Sequence, residues 1–410
     1  MDEPNYARYL ESVYQDTHWE VARVPHGSIN ATLRAAKAAG QAGPQSLILK
    51  HASPFFEDEG QLQPFSLNRQ QVEATMMSLW DEDGLFAEAA ASPDMWRLPR
   101  FIRHDQGAES DLLITDKSDK ASILLLEDLG EVVNLLKRVE VWAQSSASPK
   151  AKSSVSRIGN ILGHSLATMH SRETALAIES RPEIAEVLSQ SLTDDVVWYL
   201  AMKNLPEYLA NVPKSEIYYR RLVEDIKNPQ HAYPACLVHG DFNFGNIMLP
   251  LSPDLDHDLR PFIIDWEFAA RNGRGVNGDV SEFLSILHCR LISARRQQST
   301  LGDLLRQLCN SFCSGYRQKA TLECKMERGD LNSQLYRSTL LLNGRDMINY
   351  AHDACTEDET FDEMIKIGLW YLERACDNMD DFLQESNCTG LIKEDEGLIR
   401  SLFIFNDSGR

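Results

Sequence analysis

Cysteine is missing from the first half of the chain, and metal-binding cysteine pairs are missing throughout. The eight cysteines begin with Cys236 and end with Cys388. No Cys-x-x-Cys pair occurs, and no cysteine combines with histidine in a zinc-binding pattern. Several cysteines lie in apolar helical stretches, where a reduced thiol serves as a small core residue. We therefore expect a cytoplasmic protein with reduced thiols.

Long apolar runs are also lacking. No stretch approaches the roughly 20 apolar residues that a membrane-spanning helix needs. Residues 1–6 are acidic and contain no apolar run, so we expect no signal peptide. The 410 residues are 43% hydrophobic and 25% charged, which predicts one large or two modest globular domains.

Positive charge is scarce. The chain carries 41 Lys and Arg against 61 Asp and Glu, a formal net charge of -20. Nucleic acids and anionic membranes bind cationic patches, so we expect neither as a partner. The acidic surface fits a cationic small substrate, and it fits an ordinary solvated protein surface at least as well.

One segment carries most of the candidate chemistry. An apolar run enters the turn His239-Gly240-Asp241, and Asn246 follows five residues after the aspartate. A strand-like run follows Asn246, and after a loop at 250–260 a second strand-like run ends at Asp265. These runs predict a β-hairpin that presents the three polar side chains at one edge. Turn residues without any chemistry are the alternative.

These side chains are the set that phosphoryl transfer from a nucleotide requires. A carboxylate, here Asp241, orients the attacking hydroxyl and accepts its proton. An amide and a second carboxylate, here Asn246 and Asp265, hold Mg²⁺ over the phosphates. The role assignments come from the protein-kinase pattern, which has the same residues in the same order.

In the first part of the chain, polar and apolar residues alternate as they do in β-strands. A helix over residues 5–18 precedes a strand at 19–24 and a return strand from 31. Gly27, Ser28 and Asn30 lie between the two strands, and a Gly-Ser turn lets backbone amides approach nucleotide phosphates. An ordinary hairpin is the simpler explanation of a single glycine.

Lys50 closes an apolar strand, and Glu73 lies in a helix predicted over residues 65–77. In kinases such a lysine contacts the α- and β-phosphates and pairs with a helix glutamate. Each residue alone reads as a surface charge, but their order ahead of the Asp241 hairpin favours the functional pair. Further strands are expected within 96–103 and 121–126, and they would complete a five-stranded antiparallel sheet.

After the last predicted strand, the sequence pattern changes from strands to helices. In a two-lobed nucleotide enzyme, the backbone around Glu127 and Leu129 would bond the adenine edge, and a plain turn is the alternative. We predict a nucleotide-binding lobe over 1–127 and a helical lobe over 128–410, which contains the catalytic loop and the substrate pocket.

Helical spacing dominates the second lobe. Helices are predicted near 301–318, 330–353 and 359–385. Residues 271–279 read as a glycine-rich loop, and Asp279 is expected to be the N-cap of a helix that begins at Val280. An additional contact of its carboxylate with the catalytic loop is left open.

These motifs together resemble the aminoglycoside phosphotransferase and choline kinase superfamily, which consists of small-molecule kinases with the protein-kinase fold. The strand ending at Lys50, the segment 125–129, the loop 239–246 and the turn 265–267 each resemble a motif of that superfamily. The branches most resembled are the methylthioribose kinases and the fungal 4-hydroxytryptamine kinases.

The resemblance implies a fold of the α+β class with two lobes, like that of protein kinases. A small N-terminal lobe would contain a five-stranded antiparallel sheet and a helix, and a larger C-terminal lobe would be mainly helical. ATP and Mg²⁺ are the implied cofactors, and the hydroxyl of a small molecule is the implied acceptor. In the second half, Glu267 would help to hold a second Mg²⁺, while His239 and Asp279 would support the loop.

The chain also departs from the superfamily. Methylthioribose kinases usually carry serine at the position of Asn246, so the substrate of that enzyme is not transferred to this chain. The segment 271–278 is longer and more basic than the resemblance suggests. Arg271 and Arg274 are therefore candidates for contact with a substrate anion or with the transferred phosphate.

Two other functions are compatible with the same motifs. A catalytically silent nucleotide-binding scaffold is one alternative, although Lys50, Glu73 and the three residues of the hairpin are all intact. A protein kinase is the other, but no Asp-Phe-Gly segment or activation-loop pattern follows Asp265. The identity of the acceptor and the oligomeric state stay open.

Overall fold

The protein's structure is a computed structural model. It describes residues 6–15, 18–24, 30–37, 45–58, 60–106, 122–144, 148–189, 199, 201–228, 235–251, 259–296, 300–324, 330–355 and 358–375. The chain forms two compact units. The first consists of Met1–Ala90, Leu98–Glu131 and Ile264–Phe268, and the second of Ala91–Arg97, Val132–Ile263 and Ala269–Arg410. The predicted lobes, 1–127 and 128–410, stay a prediction.

The first unit is a sheet with helices. Its elements are α1 (Tyr6–Tyr14), β1 (Trp19–Arg23), β2 (Ala31–Lys37), β3 (Ser46–Ala52), β4 (Phe55–Asp58), β5 (Gln61–Pro64), α2 (Asn68–Leu79), α3 (Ala87–Ala90), β6 (Phe101–Gln106) and β7 (Ser122–Glu127). Five strands form one antiparallel sheet in the order β1-β2-β3-β7-β6. The predicted five-stranded antiparallel sheet is confirmed.

Alternating apolar residues hold α1 against this sheet. Leu47 and Leu49 of β3 are fully buried, together with Tyr9 and Leu10 of α1. Burying an apolar side chain of this size contributes about 1.5–3 kcal/mol. The hydroxyl of Tyr9 donates a hydrogen bond to Asp105 at 2.6 Å, so its polar end is satisfied inside the core.

Helix α2 begins later than the sequence predicts. It starts at Asn68 rather than at residue 65, because Phe65 belongs to the end of the β4–β5 hairpin. The N–H of Phe65 donates to the carbonyl of Pro54 at 2.8 Å. Helix α2 packs against β6, β7 and the turn Trp266–Phe268, and this packing buries Glu73.

The second unit is mainly helical, as predicted. Its elements are β8 (Val132–Asn134), α4 (Leu135–Gln144), α5 (Pro149–Met169), α6 (Arg172–Glu179), α7 (Pro182–Val187), α8 (Leu205–Tyr208), α9 (Ser215–Lys227), β9 (Ala235–Val238), β10 (Ile247–Pro250), β11 (Phe262–Ile263), β12 (Ala270–Arg274), α10 (Ser281–Arg296), α11 (Thr300–Cys324), α12 (Asp330–Ala354) and α13 (Asp358–Arg374). Strands β10 and β11 pair antiparallel and form the predicted hairpin. The α+β class is confirmed.

The C-terminal helices follow the predicted pattern with shifted ends. Helix α13 ends at Arg374, and the rest of the predicted helix 359–385 lies outside the described residues, apart from Ala375. Within the described residues, no helix combines the length and the apolar character that crossing a membrane requires.

Helices α5 and α11 approach each other closely because glycines line their contact. A Cβ at Gly163 would lie 2.1 Å from the carbonyl oxygen of Phe312, and a Cβ at Gly315 would lie 2.5 Å from that of Asn160. Neither distance is compatible with a side chain unless the backbone moves. Glycine at these positions therefore fixes the spacing of the two helices.

Two glycines of α11 provide a matched test of this packing. Gly315→Ala should destabilise the protein by about 1–3 kcal/mol, because overpacking forces the backbones apart. Gly302→Ala should be neutral or stabilising by up to about 1 kcal/mol, since its Cβ would lie 3.9 Å from the nearest atom. Urea unfolding of both variants measures the difference. Equal midpoints would contradict the close approach.

Candidate functional site

Lys50 and Glu73 form a buried ion pair in the first unit. Lys50 lies inside β3, which continues to Ala52, so Lys50 does not close the strand as predicted. Its Nζ is 2.8 Å and 2.7 Å from the two carboxylate oxygens of Glu73. The same ammonium group also donates to Oδ1 of Asp265. Two carboxylates thus hold one buried cation.

The charges around Lys50 keep it ionised. Burial alone would lower the pKa of its ammonium group, but the carboxylates of Asp265, Glu73 and Glu267 outweigh burial and raise the pKa above its ordinary value. Burial also raises the pKa of Glu73, against the attraction of Lys50. Removing either partner would leave an uncompensated charge in the interior, which is strongly destabilising.

Asp265 has an unusual backbone conformation. Its φ is 68°, a left-handed value that costs a residue other than glycine roughly 1–3 kcal/mol. Its side chain is 38% exposed, so the carboxylate contacts the buried Lys50 and is also accessible to solvent. A strained acid beside a buried cation is typical of functional sites.

A second buried cation, Arg69, holds the turn that follows Asp265. Arg69 is fully buried on α2, and its Nε donates to Oε2 of Glu267 at 3.1 Å. The side chain of Asn30 links the two residues: its Nδ2 donates to the same Oε2, and its Oδ1 accepts from Arg69, each at 2.9 Å. The side chain of Asn30, which was predicted to contact the nucleotide, therefore bonds Arg69 and Glu267 inside the protein. Its contact with the nucleotide stays a prediction.

Arg69 also bonds the backbone around it. Its guanidinium donates to the carbonyl oxygens of Phe65, Ser66 and Ser53. Sequence reasoning missed this residue, because an arginine four residues before a helix glutamate reads as half of a surface pair. Only the fold shows that its partner is Glu267, far along the chain.

Glu267 is tied into this network rather than open to solvent. Burial raises its pKa to about 7; Asp265 adds to the shift, while Lys50 and Arg69 oppose it. A metal ion bound through Oε2 would compete with the donors of Asn30 and Arg69. The predicted contact with a second Mg²⁺ stays a prediction.

In the second unit, side chains bind four successive backbone N–H groups of the loop 239–242. The N–H groups of His239 and Gly240 donate to the carboxylate of Asp279 at 2.7 Å and 2.9 Å. The N–H of Asp241 donates to Nδ1 of His239 at 3.2 Å, and that of Phe242 to Glu282 at 3.1 Å. The loop backbone is therefore fixed at each residue.

The carboxylate of Asp241 is fixed as well. Oδ1 accepts from Nδ2 of Asn243 at 2.6 Å, and Oδ2 accepts from Nδ2 of Asn246 at 2.8 Å. Asn246 also donates to the carbonyl oxygen of Asp241 at 2.8 Å. Because these bonds use the amide nitrogen of Asn246, its Oδ1 is the atom suited to a metal ion.

Asp279 does not cap a helix, so that part of the prediction is wrong. A π-helical turn, Gly275–Val280, contains Asp279 and leads directly into α10. Its buried carboxylate bonds the loop 239–242 instead, and it also contacts Nε2 of His170 at 3.2 Å. Nδ1 of His170 in turn lies 2.9 Å from the hydroxyl of Tyr316.

The segment predicted as a glycine-rich loop is a strand followed by this helical turn. Strand β12 pairs antiparallel with β9, and Gly273 is required there because a Cβ would lie 2.0 Å from Val238. The loop prediction is wrong because a partner strand distant in sequence outweighs the local glycine content.

The two arginines of this segment are bound within the second unit. Arg274 donates to the carboxylate of Asp225 at 2.7 Å and to the carbonyl oxygens of Ile226 and Asn228. Nε of Arg271 donates to Ser189. The substrate contact stays a prediction for both arginines, and the geometry weighs against it for Arg274.

Two of the remaining predicted nucleotide contacts, Glu127 and Leu129, lie at the end of β7 or just after it. Gly27 and Ser28 lie outside the described residues. Glu127 ends β7, and its Oε2 accepts from the N–H of Arg100 at 3.0 Å. Leu129 precedes Gly130, whose φ is +72° and whose N–H donates to Asp128 at 3.0 Å. A tight turn therefore follows the strand, and the adenine contact stays a prediction.

Each unit contains a donor of the kind that Mg²⁺ binds. Within the described ranges, no group of three or more His, Cys, Asp or Glu is placed to hold a metal ion. Mg²⁺ usually binds one or two carboxylates and completes its shell with water and substrate phosphates. In the first unit the partly exposed carboxylate of Asp265 is such a donor, and in the second unit the amide oxygen of Asn246 is another. That the two residues hold one ion stays a prediction.

Removing the buried guanidinium tests the network around Glu267. Arg69→Met should destabilise the protein by about 3–5 kcal/mol, because the buried Glu267 would lose the cation that offsets its charge. Adding Glu267→Gln should recover part of that loss, which urea unfolding measures. Arg23→Met, an exposed change in β1, should stay within about 0.5 kcal/mol. A double variant no more stable than Arg69→Met would contradict the pairing.

Comparisons with known proteins show what the chain is similar to. Residues 115–273 match the model of the phosphotransferase enzyme family (APH). The 4-hydroxytryptamine kinase of Psilocybe cubensis is 24% identical over 291 residues, which cover 70% of this chain and 72% of that protein.

Among solved structures, a microcompartment-associated aminopropanol kinase aligns over 95% of this chain and 98% of its own, with a TM-score of 0.46 and 13% identity. The choline kinase of Cryptosporidium parvum aligns over 94% and 91%, with a TM-score of 0.41 and 11% identity. The family match covers both the loop 239–246 and Asp265. The predicted resemblance to the superfamily is thus confirmed: residues 115–273 are similar to the APH phosphotransferase family, and the chain as a whole is similar to a small-molecule kinase.

Proposed function

We propose that the protein is an ATP-dependent kinase that phosphorylates a hydroxyl group of a small metabolite. The observation that carries this proposal is the fixed carboxylate of Asp241, whose two oxygens each accept an amide N–H. A carboxylate held in one orientation is what positioning catalysis of phosphoryl transfer requires. The family match supports the reaction class.

In this proposal Asp241 handles the proton of the acceptor. The acceptor hydroxyl oxygen forms a bond to the γ-phosphorus while the bond from that phosphorus to the bridging oxygen of ADP breaks. The hydroxyl proton passes to Asp241, and ADP leaves with the bonding electrons. His239 supports the loop by accepting the N–H of Asp241 and takes no proton in the reaction.

The other residues bind and orient the nucleotide. Lys50, kept cationic by its acidic neighbours, would contact the α- and β-phosphates. Asn246 and Asp265 would hold Mg²⁺, and Glu267 would help to hold a second ion. When bound, the metal neutralises the charge that develops on the phosphates. The backbone of Gly27, Ser28, Glu127 and Leu129 would bond the phosphates and the adenine.

The acceptor belongs to the class of hydroxyl-bearing small molecules. The relative from Psilocybe cubensis is named for 4-hydroxytryptamine, so aromatic alcohols join sugars, amino alcohols and antibiotics as candidates. A cytoplasmic location is part of the proposal. It is supported by Cys289 and Cys309, which are buried and form no disulfide, since reduced thiols persist in reducing compartments.

Replacing the proposed proton acceptor tests the reaction directly. Asp241→Ala should lose at least about 100-fold in kcat, the usual contribution of a positioned acid or base, while MgATP affinity and thermal stability change little. Radiolabelled γ-phosphate transfer to the acceptor, MgATP titration calorimetry and melting curves measure the three quantities.

The matched control is Asp303→Ala, which removes an exposed acid from the first turn of α11 and should leave kcat unchanged. An acceptor is found first, by screening hydroxyl metabolites for ADP release with the parent protein. Undiminished transfer by Asp241→Ala would refute the role of Asp241. MgATP binding without any transfer across the panel would favour the silent scaffold instead.

A further inference from the structure

The turn that follows β7 is bonded by an arginine from another strand of the sheet. Nη2 of Arg34, in β2, donates to Oδ1 of Asp128 at 3.0 Å and to the carbonyl oxygen of Gly130 at 2.7 Å. Oδ1 of Asp128 also accepts the N–H of Gly130 at 3.0 Å. Arg34 therefore binds the first and last residues of a three-residue turn, and Leu129 lies between them.

The residue before this turn is held by the chain at the start of β6. The N–H of Glu127 donates to the carbonyl oxygen of Arg100 at 3.0 Å, and the carboxylate of Glu127 accepts the N–H of Arg100 at 3.0 Å. The segment 127–130 is thus bonded at both ends. Arg34 supplies the bonds at one end, and the backbone of Arg100 supplies them at the other.

Strand pairing shows which face of the sheet Arg34 occupies. Arg34 lies opposite Ile48 of β3, and Ile48 lies opposite Leu126 of β7. Paired residues point to the same face of a sheet, and so do residues two apart in one strand. Lys50 therefore shares the face of Arg34. Helix α1 packs on the opposite face, against residues such as Leu49.

The turn lies further along the face that carries Lys50. Ile48 is two residues from Lys50, about 7 Å along β3. Because β3 and β7 are antiparallel, the direction from Lys50 to Ile48 leads to the end of β7 and then to the turn 128–130. A nucleotide whose phosphates contact Lys50 would therefore extend its base toward Leu129.

We propose that Arg34 is a positioning residue for the base of the nucleotide: by bonding Asp128 and Gly130 at once, it holds the backbone of Leu129 where that backbone bonds the adenine edge. This inference rests on the proposed function, which assigns the adenine contact to Glu127 and Leu129. The guanidinium acts through the turn and does not touch the nucleotide. Its loss should weaken the binding of the base and leave the phosphate contacts intact.

Comparing ATP with a ligand that lacks a base separates positioning from charge. MgATP and magnesium tripolyphosphate are titrated calorimetrically into the parent protein, Arg34→Met and Arg34→Lys. Arg34→Met should bind MgATP about five- to tenfold more weakly, the effect of one or two lost hydrogen bonds, and tripolyphosphate as the parent does. Arg34→Lys keeps an ammonium donor for both acceptors and should stay within about threefold of the parent for both ligands.

The matched control is Arg23→Met in the adjacent strand β1. Arg23 is exposed and lies opposite Leu33, which packs in the core under α1. The control therefore removes the same charge from the other face of the sheet, and it should keep the parent affinity for both ligands. Because the side chain of Arg34 is 45% exposed, all of these variants should fold, which melting curves check.

A double-variant cycle tests whether Arg34 acts through the turn. Asp128→Ala removes the acceptor that joins the arginine to the turn, so it should also weaken MgATP binding. The double variant with Arg34→Met should lose no more than about twofold beyond the weaker single variant, since both changes disrupt one structure. Losses that multiply in full would mean separate roles and would overturn the proposal.

Two further outcomes of the titrations would refute the role of Arg34 alone: equal weakening of both ligands in Arg34→Met, which would indicate a charge effect, and unchanged MgATP affinity. A parent protein that binds MgATP no better than tripolyphosphate would refute the adenine contact on which the inference rests. A parent protein that binds no MgATP would refute the proposed function. With an acceptor in hand, Arg34→Met should raise the KM for MgATP about five- to tenfold and keep kcat within about twofold.

Discussion

The ion pair between Lys50 and Glu73 is the interaction on which the first unit depends. It can persist in the interior only because Asp265 adds a second carboxylate and Gln70 bonds the backbone of Lys50 at 3.0 Å. A lysine held this way stays cationic and points in one direction, which suits it to phosphate oxygens. The strained backbone of Asp265 is tolerated because α2 packs on the turn that follows it.

In the second unit, the loop 239–242 follows β9 but has no regular secondary structure of its own, so its backbone N–H groups need other partners. Backbone N–H groups that lack a partner are costly, and here Asp279, His239 and Glu282 accept all four between residues 239 and 242. The loop is thus rigid before any ligand binds. Preorganisation of this kind is the main source of catalysis when the protein contributes little covalent chemistry.

Local sequence was enough to predict the strands of the sheet and the hairpin β10–β11, because the alternation of polar and apolar residues is a local signal. The catalytic role of the loop 239–246 stays a prediction. Local sequence was not enough for Arg69 or Glu282, whose partners lie on other elements and whose burial no periodicity reveals. Asp279 was placed at a helix start because the π-helical turn before α10 has no pattern of its own. Strand β12 was missed since its glycines indicate a loop, while its pairing with β9 depends on tertiary structure.

The charge balance of the first unit leads to the most direct test. Two cations, Lys50 and Arg69, face three acids, Glu73, Asp265 and Glu267, so the ionised cluster has an excess of negative charge that attracts a metal ion and repels bare phosphate. Calorimetric titration of the protein with ATP, once in Mg²⁺ and once in EDTA, measures how much the affinity for ATP depends on the metal. The account predicts binding at least about tenfold weaker in EDTA. Equal affinity in the two solutions would contradict a metal-bridged nucleotide.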